Sequence, residues 1–202
     1  MTVRLAPTLM VLGVTSILLV PVAQAQWEGE TGVGLVRATG NATESSVSGT
    51  ADLSYAVMPW THNLLGDYYR SAEEGEPTQD RIGIAYKIDR ELGGPWYGWG
   101  SVRYESDEFA DIERRWAALI GIGYKFLDTE DHKLGAELGM GRRDSRFVSP
   151  RATSEETIAS LGVAYKGRLS ETLSLSQRLT VESGQDNTLL TSTSGLTVQV
   201  SD

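Results

Sequence analysis

The stretch Glu113–Phe126, ERRWAALIGIGYKF, decides the fold, because its residues alternate in character at every position. A two-residue repeat places successive side chains on opposite faces of a β-strand, whereas a helix would scatter them around its surface. The first face is apolar and ends in aromatics: Trp116, Ala118, Ile120, Ile122, Tyr124 and Phe126. The second face combines small and charged residues: Arg115, Ala117, Leu119, Gly121, Gly123 and Lys125. The stretch therefore predicts a long strand with one apolar face.

The same repeat recurs along the chain and predicts about ten strands, near 27–39, 45–57, 62–70, 79–89, 96–105, 113–126, 133–143, 156–169, 173–182 and 188–200. The connections alternate between short turns and acidic, mostly longer loops such as Ser71–Thr78 (SAEEGEPT) and Asp144–Glu155. Outer-membrane barrels have short periplasmic turns and longer external loops. The pattern predicts an all-β, up-and-down antiparallel transmembrane β-barrel.

The N-terminus predicts export. Arg4 precedes an apolar stretch from Leu5 to Val22, and Ala23-Gln24-Ala25 supplies the small-x-small pattern of a signal-peptidase site. We expect residues 1–25 to be a cleaved secretory signal peptide and residues 26–202 to be the barrel domain. Pro21 favours cleavage over an uncleaved membrane anchor. No later apolar run reaches the roughly 18 residues of a membrane-spanning helix, so insertion would use strands. The expected location is the Gram-negative outer membrane.

Composition excludes some classes of protein. The chain has 202 residues, no cysteine and a formal charge of -9, which argues against a nucleic-acid binder and against a disulfide scaffold. Its mean hydropathy of -0.22 resembles that of a soluble protein. A transmembrane barrel has a similar average, because alternate strand residues face a polar lumen. Composition alone leaves both classes open.

The charged residues on the second face need water or partners, because burying an unpaired charge costs several kcal/mol. In a barrel they would point into the lumen, and the predicted lumen-facing set is Arg81, Lys87, Arg103, Arg115, Lys125, Glu137, Arg143, Arg178 and Glu182. Ile120 would then face lipid, and its replacement by Arg should cost about 2 to 4 kcal/mol near the midplane. On the same argument Gly121→Ser should cost less.

Aromatic residues near both ends of the strands predict two interfacial belts. The predicted belt residues are Trp27, Trp60, Trp96, Tyr104, Trp116 and Phe126. Two soluble alternatives use the same alternation. In a β-sandwich the aromatics would fill the core, and in a periplasmic β-barrel the apolar face would turn inward around an apolar ligand.

The sequence predicts no catalytic, metal or cofactor site. The two histidines, His62 and His132, lie far apart in sequence beside predicted short turns, where polar interfacial roles are typical. Ser101 lacks the Gly-x-Ser-x-Gly elbow of a hydrolase. The acidic stretch from Glu105 to Glu113 lacks the order of a calcium loop. The residues therefore indicate a protein that is not an enzyme.

Four motifs carry a family resemblance: WEGETGVGL at 27–35, WYGWGSVRYE at 96–105, IGIGY at 120–124 and VESGQDNT at 181–188. They resemble the salt-induced outer membrane proteins, a YdiY-like family of unknown function. The resemblance implies a barrel of unassigned transport or binding activity. Its implied partners are outer-membrane lipid, lipopolysaccharide and the barrel insertion machinery.

The C-terminus departs from this family pattern. Such barrels are expected to end in an aromatic residue, and this chain ends in Gln199-Val200-Ser201-Asp202. We therefore expect about two closing strands beyond residue 202, giving twelve in the intact protein. The alternative is a barrel that closes with ten strands and an unusual terminus. The functional hypothesis is an outer-membrane barrel that forms a narrow channel or a structural component related to salt or envelope stress, with a soluble periplasmic binder of an apolar ligand as the alternative.

Overall fold

The computed structural model describes residues 8–12, 17–18, 26–39, 43–148, 151–185 and 187–198. Twelve strands lie within these residues, in the order Thr8–Leu12 (β1), Ile17–Leu18 (β2), Gln26–Thr39 (β3), Thr43–Val57 (β4), Trp60–Glu73 (β5), Glu76–Gly93 (β6), Trp96–Asp107 (β7), Ile112–Asp128 (β8), His132–Phe147 (β9), Thr153–Arg168 (β10), Leu173–Ser183 (β11) and Thr188–Val198 (β12). A 3-10 turn, Glu108–Ala110, precedes β8. The described residues contain no helix long and apolar enough to cross a membrane.

From β3 to β12, each strand pairs with its sequence neighbours. The tight connections make neighbours antiparallel, because parallel strands need long crossovers. The β3–β4 register, for example, runs from Gln26↔Ala56 to Thr39↔Thr43. The prediction of an all-β, up-and-down antiparallel fold is confirmed, and all ten predicted strands are present with ends shifted by a few residues.

Two short strands lie inside the predicted signal peptide. β1 pairs with β3 from Thr8↔Thr39 to Leu12↔Leu35, and β2 pairs with it at Ile17↔Thr31 and Leu18↔Glu30. Cleavage after Ala25 stays a prediction, and it would remove both strands from the edge of β3. The last four residues, on which the prediction of missing closing strands rests, lie outside the described residues.

The acidic stretch Ser71–Thr78 is not a long loop. β5 continues to Glu73 and β6 begins at Glu76, so only Glu74 and Gly75 connect them. Both have positive φ, 51° and 90°, as a type I′ hairpin turn requires. The loop prediction was wrong here because acidic composition outweighed the Glu-Gly turn signal.

The chain forms two compact units. Unit 1 comprises residues 1–87, 102–116 and 144–154, and unit 2 comprises residues 88–101, 117–143 and 155–202. Within unit 1, the paired strands β3, β4 and β5 carry a row of rings. Trp27, Tyr55 and His62 follow one another with centroids 4.7 and 6.0 Å apart, and Tyr86 of β6 extends the row at 6.1 Å.

Unit 2 contains a buried cluster of Trp99, Ala117, Leu119 and Ile158, with Tyr97 packed against it. Glycines make room for its largest ring. A Cβ at Gly121 would lie 2.6 Å from Cε2 of Trp99, and a Cβ at Gly139 would lie 2.6 Å from its Cη2. The indole therefore lies against bare backbone of β8 and β9.

Gly141 marks the closest backbone approach in this unit. A Cβ there would overlap the carbonyl oxygen of Ala118 and lie 2.8 Å from the Cα of Leu119. Backbone atoms cannot rotate aside as a side chain can. Any side chain at this position must therefore shift β8 relative to β9.

We expect Gly141→Ala to lower the free energy of unfolding by about 1 to 3 kcal/mol, the usual cost of overpacking. Gly49→Ala is the matched control, because a Cβ at this strand glycine meets nothing within 4 Å. Urea unfolding of the two variants, followed by tryptophan fluorescence, would measure both changes. Equal stability of the two variants would contradict the tight packing at Gly141.

Candidate functional site

A buried ionic cluster occupies the second face of unit 2. Arg143 lies on β9, Glu156 on β10 and Glu182 on β11. Arg143 donates to Oε1 of Glu156 from Nε at 2.8 Å and from Nη2 at 2.7 Å, and its Nη1 lies 3.8 Å from Oε2 of Glu182. The three side chains are only 3 to 5% exposed. One guanidinium thus joins three strands.

The same arginine also holds a loop. Its Nη2 donates to the carbonyl oxygen of Asn187 at 3.3 Å, in the connection between β11 and β12. Gly184 lies in this connection, and a Cβ there would overlap the carboxylate of Glu156. Buried charges are tolerated only when the partner charges and hydrogen bonds are in place. The connection is therefore packed directly onto the ionic cluster.

Two aromatic side chains lie on the same face toward the other end of unit 2. The hydroxyl of Tyr97 donates to Oε1 of Glu137 at 2.9 Å, and Nε1 of Trp99 donates to the carbonyl oxygen of Ile122 at 3.3 Å. Both polar ends are thus satisfied, as buried tyrosine and tryptophan require. The face thus carries rings and paired charges whose polar atoms have partners within the protein.

The ion pairs of unit 1 are more exposed to solvent than the ionic cluster of unit 2. Among the arginines of unit 1 in a described ion pair, Arg115 is the least exposed, with its side chain 13% exposed. Its Nη1 lies 3.4 Å from Glu105, and its Nε donates to Ser145 at 3.2 Å. Arg81 and Asp67 lie 3.4 Å apart, with both side chains about half exposed. These pairs resemble surface salt bridges, which contribute little to stability.

On every strand, the predicted lumen-facing residues lie on the second face, at alternate positions along the strand. The structure brings Arg143 and Glu182 together, and places Glu137 with Tyr97. Lys125 pairs with Glu91 and Asp128 at 2.6 and 3.5 Å. Of the others, Lys87 and Arg103 are partly buried, and Arg81, Arg115 and Arg178 lie on β6, β8 and β11. The assignment of this face to a lumen stays a prediction.

Sequence reasoning missed Glu156, Tyr97 and Trp99. Glu156 shares the phase of Lys166 and Arg168 along β10, and this phase would have identified it. Tyr97 and Trp99 share the phase of Arg103 along β7. The matching glycines on β8 and β9 were the signal that large rings would cover them.

The predicted belt aromatics lie on the opposite, exposed face. Tyr104 and Trp116 pack with centroids 4.7 Å apart in unit 1, and in unit 2 Trp96 meets Tyr124 at 4.8 Å. Five of the six are exposed, namely Trp27, Trp60, Trp96, Trp116 and Phe126. Their role at a lipid interface stays a prediction.

Neither histidine belongs to a metal or nucleophile arrangement among the described residues. His62 Nδ1 lies 2.7 Å from the hydroxyl of Tyr86, and His132 Nδ1 lies 3.0 Å from that of Tyr165. Across the described ranges no group of three His, Cys, Asp or Glu residues is placed to hold a metal ion. The ionic cluster and its aromatic neighbours are the most organised polar feature of unit 2.

A family model described as "Protein of unknown function, DUF481" matches residues 31–202. The chain belongs to this family. The resemblance to an uncharacterised YdiY-like family is thereby confirmed, and the family description assigns no activity. No curated protein matches the chain. The function of this DUF481 protein must therefore be argued from its own residues.

Arg143→Met should lower the free energy of unfolding by about 3 to 5 kcal/mol, because it leaves two buried carboxylates without their cation. Arg146→Met is the matched control on the same strand. Arg146 pairs with Glu113 at 3.0 Å, but both side chains are about 40% exposed, so its loss should cost less than about 1 kcal/mol. Urea unfolding of both variants tests the difference, and similar losses would contradict a buried ionic cluster.

Proposed function

We propose that this protein is an outer-membrane β-barrel whose polar interior is packed, acting as a structural component of the envelope related to salt or envelope stress. The observation that carries the proposal is an inverted distribution of side chains. In unit 2 the charged residues Arg143 and Glu182 are 3% and 4% exposed, whereas Ile120 is 69% exposed. Water-soluble proteins bury Arg and Glu only when these are paired, as they are here, but monomeric ones rarely expose a contiguous face of large aliphatic residues beside them.

The exposed apolar residues form a continuous face because neighbouring strands contribute in phase. β8 contributes Ile120 and Ile122, β9 contributes Leu138 and Met140, and β10 contributes Leu161, all at least 49% exposed. Contiguous apolar surface of this extent marks a membrane or partner contact in a stable protein. Lipid is the partner that suits this face, because each strand directs its apolar side chains to the same side of the sheet.

The soluble alternative requires the opposite arrangement. A periplasmic barrel around an apolar ligand would bury Ile120 and expose Arg143. The second face instead contains an ionic cluster, Tyr97 and Trp99. The geometry therefore supports the membrane proposal over the soluble one.

The packing of the second face also bears on transport. Ile158, Leu119 and Ala117 are 0 to 4% exposed, and the guanidinium of Arg143 is occupied by two carboxylates and a carbonyl oxygen. A diffusion channel needs hydrated side chains along its wall. Unit 2 thus favours a structural role, with a narrow channel as the second candidate function.

Cell fractionation combined with gel mobility tests the location. We expect the protein in the outer-membrane fraction, and we expect unboiled samples to migrate differently from boiled ones, because the barrel resists detergent at low temperature. Recovery in the periplasmic fraction, with identical mobility in both samples, would refute the proposal.

Ile120→Arg should destabilise the inserted protein by about 2 to 4 kcal/mol, because a charge would enter the apolar part of the bilayer. Met58→Arg is the control: Met58 is 93% exposed but lies in the turn between β4 and β5. Unfolding from lipid vesicles measures both. If Ile120→Arg is as well tolerated as Met58→Arg, the exposed face does not meet lipid.

Gly121→Ser, expected from sequence to cost less than Ile120→Arg, is not a suitable control. A Cβ at Gly121 would overlap the carbonyl oxygen of Leu138 and approach the Trp99 ring. The relative cost of the two substitutions stays a prediction.

Planar-bilayer recording separates the two candidate roles. The structural role predicts no steady single-channel current from the purified protein, because the second face of unit 2 is occluded. Steady current that changes in ion selectivity in Arg143→Met, and not in Arg146→Met, would establish the narrow channel instead.

A further inference from the structure

A cleft of about 480 Å³ lies in unit 2 beside two short turns, and it is lined by Asp131, His132, Arg168, Ser170 and Glu171. One turn joins β8 to β9, and the other joins β10 to β11. Both belong to the short connections that the sequence assigns to the periplasmic side. The cleft therefore lies at one rim of the exposed apolar face.

Hydrogen bonds fix the polar groups of this cleft. Nδ1 of His132 lies 3.0 Å from the hydroxyl of Tyr165, so a ligand would bind the ring through its other nitrogen, Nε2. Arg168 donates from Nε to Asp131 at 2.8 Å, its Nη2 also contacts Asp131, and their backbones bond at 2.8 Å. The engaged nitrogen of a histidine sets which other nitrogen can bind a ligand. Two of the polar side chains of the cleft, His132 and Arg168, thus have partners within the protein.

The charges of the cleft are mixed in sign. Asp131 and Glu171 bring two carboxylates, Arg168 brings one guanidinium, and His132 brings an imidazole. A simple anion would be repelled by the carboxylates, and a simple cation by the guanidinium. A ligand with both a phosphodiester and an ammonium would satisfy both sets. Planar guanidinium groups suit phosphate in particular.

The surroundings add an apolar requirement. His132 shares its phase on β9 with Leu138 and Met140, and Tyr165 shares its phase on β10 with Leu161 and Val163. Arg168 has the opposite phase, and it lines the cleft as the last residue of β10, where the two faces of the sheet meet at the rim. These four aliphatic side chains are 42 to 61% exposed. A ligand held in the cleft could extend its chains along this surface. The ligand that suits both the mixed charges and the apolar surface is an amphipathic zwitterion.

We propose that this cleft binds the headgroup of a zwitterionic phospholipid. The phosphodiester contacts Arg168 and Nε2 of His132, and the ammonium contacts Glu171 and Asp131. This site rests on the proposed membrane location, because its ligand is a bilayer lipid. His62 provides an internal comparison: it bonds to Tyr86 in the same way, but it lies between aromatic rings in unit 1.

The test follows the two histidine side chains by NMR in the full-length protein in a non-ionic detergent. Dihexanoyl phosphatidylethanolamine should shift His132 saturably and leave His62 unchanged. Dihexanoyl phosphatidylglycerol, inorganic phosphate and ethanolamine should each bind at least about tenfold more weakly. Equal shifts from phosphatidylglycerol or from inorganic phosphate would overturn the zwitterion assignment in favour of a plain anion site.

Variants test the named contacts. Glu171→Gln and Arg168→Met should each weaken phosphatidylethanolamine binding by roughly two- to fivefold, the scale of an exposed charged contact. Glu130→Gln is the matched control, because Glu130 is an exposed turn residue outside the cleft lining. Equal weakening by Glu130→Gln would overturn the proposal.

Gel mobility of the same samples separates the two proposals. Heat-dependent mobility without a saturable shift at His132 would refute the lipid site and leave the membrane barrel in place. Loss of heat-dependent mobility in the wild-type protein would refute the barrel itself.

Discussion

The pairing of backbone groups between neighbouring strands is the constraint on which the rest of this structure depends. Each long strand must satisfy its N–H and C=O groups on the strands beside it, and this extended geometry directs side chains alternately to two faces. Each face must then contact surroundings that suit its polarity. One is apolar and exposed, with Ile120 and Leu138 as examples. The other is charged and, in unit 2, buried. In the proposed barrel, a bilayer against the first face and packing on the second face would satisfy both.

The packed face depends on residues of very different size acting together. Trp99 lies flat because Gly121 and Gly139 carry no side chain, and Leu119 and Ile158 close the cluster around it. The ionic cluster continues this packing with polar atoms, since Arg143 meets two carboxylates and a loop carbonyl oxygen. Removal of any one partner leaves either a cavity or an unpaired charge, and the second is the more costly.

Sequence reasoning succeeds here where the information is local. The two-residue repeat predicts every strand from β3 to β12, and it places Arg143 and Glu182 on the same face. It fails where the answer depends on register between strands. Nothing local to Glu156 indicates that it will meet Arg143, and the glycines at 121 and 139 indicate space for a ring without indicating that Trp99 fills it. The turn at Glu74 and Gly75 shows the reverse error, since a local signal was present and acidic composition was given more weight.

The fit of Trp99 over its glycines has an evolutionary consequence. Trp99 needs glycine at position 121 on β8 and at position 139 on β9. Neither the tryptophan nor the two glycines can therefore be replaced independently of the others. A larger residue at 139 becomes acceptable only after 99 has become small, and the intermediate step carries either a clash or a void. Substitutions at positions 99, 121 and 139 should therefore be correlated in evolution, although 40 residues separate the first position from the last.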